Sequence, residues 1–334
     1  MSTHKEKSLS SSDPHKVEDD FAKEFQSASI FLQPWWLDAV APGQWHEIVV
    51  ERGGNLLARM PYILKKKRGL TFITMPQLTQ SLGPWLRQYP GKDANRLSEE
   101  KQLMTELINQ LPPFDYFKQN FHYSITNWLP FYWQRFEQTT RYTYILENLT
   151  DLDVIFERFS KAKRKNIRKA SKIVTVYHDL PAKDFYKNHV LTLAKQQKKI
   201  AYSFELFERI YQACHDRQAG KTFYCVDANN NLHSAIFIVW NSYSAYYLIS
   251  TIDPDFRSSD SATLLIWEAI KYLSDKTQRF DFEGSMIEGV ENSFRAFGGK
   301  QVPYFQITKI NSLPYKVFQD VISWRKMLRD RSRS

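Results

Sequence analysis

The order of hydrophobic patterns between Ile173 and Ile310 restricts the fold of this chain more than any other feature. A short alternating run, Ile173 to His178, precedes two segments with apolar residues at helical spacing, Ala182 to Lys198 and Ser203 to Arg217. "KTFYCVDANNNLHSAIFIVWNSYSAYYLIST" then reads as three strands of a meander, its first turn "DANNN" built from residues that tolerate left-handed backbone. An amphipathic segment follows, Ser261 to Ser274, and then a strand "RFDFEG", a short helix Val290 to Phe297 and a last strand "VPYFQITKI". Strand, two helices, three antiparallel strands, helix, strand, helix, strand describes a mixed, largely antiparallel sheet flanked by helices, an α/β (α+β) unit.

Residues 21–150 carry a second set of elements. "PWWLDAV" has proline at an early helical position, "HEIVVE" and "LLARMPYIL" flank Gly53 and Gly54 as a hairpin, and "LTFITMP" is a further strand. Ser98 to Gln110 reads as a helix with Ser98 as a candidate cap, and "YFKQNFHYSI" and "RYTYILEN" as strands around an aromatic stretch. With 334 residues, 43% of them hydrophobic, the chain can fill two cores. The expected organisation is a disordered tail at 1–20, one domain at 21–150, a second at 151–312 and a basic helix at 313–334. No window is apolar enough to span a bilayer and the N-terminus has no signal-like apolar region, so the expectation is a cytoplasmic protein without a transmembrane segment. Cys214 and Cys225 form no disulfide framework by spacing, and no metal site is expected.

The net charge of +10 is concentrated. Ile155 to Lys172 holds eight basic residues and one acidic, and Ser323 to Ser334 holds five basic and one acidic. Such local basicity suits the docking of an anion such as phosphate, nucleic acid or a membrane surface, and does not suit a protein built to coat DNA. If Asp151 to Ser171 is a helix, Lys161, Lys165, Arg168 and Lys172 share one face with Arg164 beside it, a wall that could meet phosphate oxygens or could be a solvated surface.

Four of the eleven glycines fall between Phe280 and Lys300. Gly298 and Gly299 read as a helix stop and Gly289 as a helix start, while Gly284 follows Asp281 and Glu283. In a strand these two acids point to one face. There one could orient or deprotonate an amine, or both could form structural salt bridges to Arg257 or Arg295.

The segments "KAKRKNIRKASK", "STIDPDFRSSDSATLLIWEAI", "FDFEGS" and "GVENSFRAFGGK", taken in order, resemble the Fem-type peptidyltransferases and their bacterial acyltransferase relatives in the GNAT superfamily. The likeness covers residues 155 to 310 best, with "QPWWLDAV" and "MPQLTQSLGPWL" as weaker matches to the degenerate first domain. It implies two tandem GNAT-like domains and a transferase that forms an amide on an amine-bearing acceptor, such as a cell-envelope precursor or an amino sugar. It implies Asp281, Glu283 and Arg295 as catalytic residues, with Arg295 standing where the family has a lysine. Arg257, Ser258, Ser259, Ser261 and Ala262 occupy the position of the GNAT pyrophosphate loop, although Asp260 replaces its first glycine and could serve instead as an N-cap. Arg164, Arg168, Trp36, Tyr247 and Ser250 are the implied substrate contacts. No tightly bound cofactor is implied; the expected co-substrate is acyl-CoA. Aminoacyl-tRNA is the other donor, less favoured because the helices between Ala182 and Arg217 are too short for the arm that tRNA-using relatives carry. A non-catalytic nucleic-acid or membrane-surface binding protein on the same scaffold is the alternative.

Overall fold

The computed structural model describes residues 28–89 and 91–331; the tail expected at 1–20 lies outside the described residues. In chain order the strands are β1 (Trp45–Arg52), β2 (Asn55–Lys67), β3 (Leu70–Thr74), β4 (Trp85–Leu86), β5 (Tyr116–Asn120), β6 (Glu137–Glu147), β7 (Thr175–His178), β8 (Gly220–Val226), β9 (Leu232–Trp240), β10 (Ser244–Ile252), β11 (Arg279–Asp281) and β12 (Lys300–Ile310). They form one sheet in the order β1-β2-β3-β5-β12-β6-β11-β10-β9-β8-β7, with β4 paired to β2 off this path. Among the strands of the described residues only β3 with β5 and β10 with β11 run parallel, so each half of the sheet contains one parallel strand pair. The C-terminal strand β12 lies between β5 and β6.

The central strand β9 shows why the second half needs helices on both faces, because almost every residue of LHSAIFIVW is buried. Ala235, Phe237 and Val239 face one core, shared with helix Phe204–Asp216. Ile236, Ile238 and Trp240 face the other, shared with helix Ser261–Leu273. Buried apolar side chains of this size contribute about 1.5–3 kcal/mol each. The first half has its own core, where Met60, Ile73 and Phe117 meet Leu103, Met104 and Leu107 of helix Asp93–Asn109.

Three expected boundaries move. The helix expected to begin at the Ser98 cap starts at Asp93, so Ser98 lies inside it. The basic helix is two helices, Leu152–Arg158 and Lys161–Ala170, because Phe159 is extended and buried and the Ser160 hydroxyl accepts from the Lys163 amide to start the second. β11 ends at Asp281, and Glu283 takes a left-handed conformation (φ 58°) outside the strand. Among the described residues no helix is long and apolar enough to cross a membrane.

Candidate active site

β10 and β11 are paired over only three residues, Ser244 with Arg279, Ala245 with Phe280 and Tyr246 with Asp281. On its other side β10 shifts register against β9 between Tyr247 and Ile249. Phe282 donates its amide to the Tyr144 carbonyl of β6 at 3.0 Å, and Glu283 and Gly284 then turn the chain with consecutive positive φ. A Cβ at Gly284 would stand 2.0 Å from the Tyr142 carbonyl oxygen. Glycine is therefore needed for the close contact with β6. At Gly298 (φ 72°) a Cβ would meet the Arg158 carbonyl, which suits the expected helix stop.

This turn buries two carboxylates together. Asp281 accepts hydrogen bonds from the Thr143 hydroxyl and, at 2.7 Å, from the Glu283 amide. Burial raises its pKa to about 6, against these two stabilising bonds. Glu283 Oε1 is buried with no partner, and burial, then the neighbouring Asp281 charge, drives its carboxyl well above the ordinary range. The alternative salt bridges are not made. Arg295 is exposed and pairs with Glu291 at 3.0 Å, while Arg257 is exposed on the turn Pro254–Ser259. The structure thus brings Asp281 and Glu283 together and leaves Arg295 outside the chamber they line.

That chamber has a volume of about 20 Å³, room for one water, and its other walls include Gln80, His122, Tyr123, Thr143 and Tyr304. Gln80 holds the Glu283 carbonyl through its side-chain amide. His122 and Tyr123 also line a cavity of about 650 Å³ bounded by Tyr89, Arg96, Asn127, Tyr243 and Arg279. His122 Nδ1 accepts from the Ser124 amide at 3.2 Å, so the neutral ring carries its proton on Nε2, which is buried without a partner. Burial, with the Arg279 charge second, lowers its pKa to about 4 and keeps it neutral. Arg279 lies 4.6 Å from the Tyr243 ring, two residues before Asp281 on the same strand, and so faces the larger cavity.

The implied donor loop is closed by the protein itself. Asp260 makes no side-chain cap; its carboxylate accepts from Asn166 at 3.0 Å and Lys169 at 2.9 Å, and Lys169 also reaches the Ser258 carbonyl. The Ser259 hydroxyl donates to the Phe256 carbonyl, and the Ser261 hydroxyl shares a 2.8 Å bond with Ser234. Both serines are buried and turned inward, so the expectation that they meet a donor phosphate does not fit, while Arg257 and Ser258 stay exposed and Ala262 is half-buried. Lys163 is a further strap: its Nζ donates to Ser293 at 2.9 Å and lies 4.4 Å over the Phe297 ring, and burial lowers its pKa to about 8.

The remaining expected contacts divide. Trp36 is wholly buried and bonded to Thr79, so it is a core residue and cannot wall a cleft. Tyr247 is buried against Phe294, its hydroxyl held by Ser250 and pushed up to about 12 by burial, and Ser250 is half-buried beside it. Lys161, Lys165, Arg168 and Lys172 are exposed, and Arg164 donates to the Glu157 carbonyl. Phe294 and Phe297 pack on Phe282. His122, Tyr123 and Gln80 carried no periodic or charge signal; "MPQLTQSLGPWL" and "YFKQNFHYSI" marked only the segments that hold them.

Residues 133–292 match the acetyltransferase (GNAT) domain family. No curated protein matches the sequence. Among solved structures, that of FemX aligns over 88% of this chain and 96% of its own at 13% identity, with a TM-score of 0.61. The C-terminal domain (DUF2156) of a putative lysylphosphatidylglycerol synthetase from Agrobacterium fabrum aligns over 92% and 96% at 10% identity, TM-score 0.54. A tandem GNAT protein from the clavulanic acid biosynthesis pathway aligns over 90% and 96% at 10% identity, TM-score 0.50. At such identities these likenesses establish the fold.

Proposed function

We propose, from the match of residues 133–292 to the acetyltransferase (GNAT) domain family and the likeness of the fold to that of FemX, that the chain transfers an acyl or aminoacyl group to an amine at the seam where Asp281 and Glu283 meet. The observation that carries this reading is a pair of buried carboxylates with no ion-pair partner among the described residues, next to a cavity large enough for a sugar-sized acceptor. The acceptor amine enters past His122 and Tyr123. Asp281, with a pKa near 6, takes the proton that the amine must lose as its nitrogen bonds to the donor carbonyl carbon. Glu283, whose carboxyl is held well above the ordinary range by burial and by the Asp281 charge, gives a proton to the departing sulfur or oxygen as the old acyl bond breaks. His122 Nε2–H is a neutral donor for the carbonyl oxygen during the addition.

The donor we propose is an acyl-CoA thioester. The helices Ala182–Lys195 and Phe204–Asp216 span 14 and 13 residues and make no extended arm for a tRNA. Asp260 and its partners fill the turn before Ser261, so the CoA phosphates would lie on the exposed face of Lys161, Lys165 and Arg168. An amine on an envelope precursor or amino sugar is the matching acceptor class, and the site works on the cytoplasmic side. Purified protein given acyl-CoA and a panel of such amines should release free thiol and yield an amide detectable by mass spectrometry, and aminoacyl-tRNA in place of acyl-CoA should not support it. Glu283→Gln and Asp281→Asn should each lower kcat by about 100-fold or more, and reversing Lys161 and Lys165 to Glu should raise the KM for the donor. Turnover that survives both carboxyl substitutions removes the assignment.

A further inference from the structure

Helix Leu313–Arg331 leaves the end of β12 and is held to the body chiefly through one ring. Tyr315 packs 5.3 Å from Phe72 and 5.2 Å from Tyr116, and its hydroxyl accepts from Gln319 at 2.6 Å. Tyr315 and Gln319 are accordingly half-buried. At 100° per residue the opposite side of the helix presents Leu313, Val317, Val321 and Trp324 as a stripe, while Phe318 and Ile322 lie between that stripe and Tyr315. All six are between 42% and 71% exposed. A helix of a soluble domain ordinarily turns such a stripe into its core; here the stripe faces outward.

The charge of the same segment decides what covers it. Leu313 to Ser334 contains six basic residues and two acidic, net +4. We propose that this helix docks the protein on an anionic lipid surface, its apolar stripe at the acyl boundary, with the net positive charge of the segment drawn to the anionic headgroups. An outward apolar stripe with tryptophan, joined to an excess of Lys and Arg, has the composition of a helix lying in the membrane interface. Lipid phosphates complement the charge. A second copy of the chain fits less well, since pairing the stripes would bring two +4 segments together. A nucleic acid would satisfy the charge and leave the stripe in water.

Sedimentation of the full-length protein with vesicles tests this. The protein should pellet with mixed phosphatidylglycerol and phosphatidylcholine vesicles and bind pure phosphatidylcholine at least about tenfold more weakly, with binding to the mixed vesicles weakening as salt rises. Val317→Glu combined with Val321→Glu should cut binding to mixed vesicles about tenfold while leaving the melting temperature unchanged, because both positions are exposed. Leu313→Ser, at the most exposed position, is the second variant if the double substitution disturbs folding, and it should weaken binding in the same direction. The proposal is overturned if the wild type stays in the supernatant with anionic vesicles, or if the stripe variants bind as the wild type does. It is equally overturned if the wild type is a dimer in solution that the double variant converts to monomer while vesicles recruit neither.

Discussion

The fold holds Asp281 against its preferred charge state, and substitution by asparagine should reveal the cost. Burial raises this carboxyl to about 6, roughly 2 units above the ordinary aspartate value, which corresponds to about 3 kcal/mol between its two protonation states. The folded chain binds the proton more tightly than the unfolded chain does. The stability this supplies is therefore fully present below about pH 4 and is lost as pH rises through about 6. At about pH 8 the wild type carries the whole penalty of a buried carboxylate. Asp281→Asn keeps an oxygen to accept from Thr143 and from the Glu283 amide and carries no charge. It also relieves Glu283, whose carboxyl is raised in part by Asp281. The variant should exceed the wild type in stability by as much as about 3 kcal/mol near pH 8, a rise on the order of 5 °C in Tm, with the difference shrinking towards pH 4. Thermal unfolding followed by circular dichroism at several pH values measures this, and the same preparation should be impaired in transfer, a gain in stability with a loss of activity. A Tm at pH 8 equal to or below that of the wild type, or a difference that does not change with pH, refutes the reasoning.

Other expectations rest on separate contacts. Gly284→Ala places a Cβ against the Tyr142 carbonyl at a positive φ and should cost more than about 2 kcal/mol; a Tm within a degree of wild type would show that the turn relaxes freely. Lys163, with a pKa near 8, should hold roughly 100-fold more neutral amine at pH 8 than an ordinary lysine. It should therefore stand out in competitive labelling with trace acetic anhydride read by mass spectrometry, and labelling no faster than that of Lys161 or Lys165 would contradict this. Asp260→Ala removes the partner of Asn166 and Lys169. Because the ion pair is partly exposed, global stability should fall by only about 1 kcal/mol, while amide exchange in helix Lys161–Ala170 should quicken locally; unchanged exchange would mean that this contact does not hold the helix.

Periodicity was enough to read the elements of the second half, because each strand and helix there buries a face against a layer of its own. The run LHSAIFIVW could only be a strand covered on both sides, and Ser261–Leu273 only a helix with a broad apolar face. The boundaries that moved were set by single side chains whose partners are remote in sequence. Phe159 breaks the basic helix because it is buried next to Phe297, 138 positions later, at 5.1 Å between ring centroids. Asp260 had every local mark of a cap, yet a lysine and an asparagine on another helix take its carboxylate.

The same distinction separates the visible part of the candidate site from the hidden part. Asp281 and Glu283 stood out because two acids flanking one phenylalanine before a glycine make little sense on a half-buried strand. Their chemistry depends on what is not near them in sequence. Gln80 reaches the turn across 203 positions and Thr143 across 138, while His122 joins the chamber because β5 and β6 are both hydrogen-bonded to β12. Inserting the last strand between two strands of the first half brings the loop after β5 to the end of β11. That insertion buries the carboxylates together, and the burial raises both acids above their ordinary range, so that one can accept a proton and the other can deliver one.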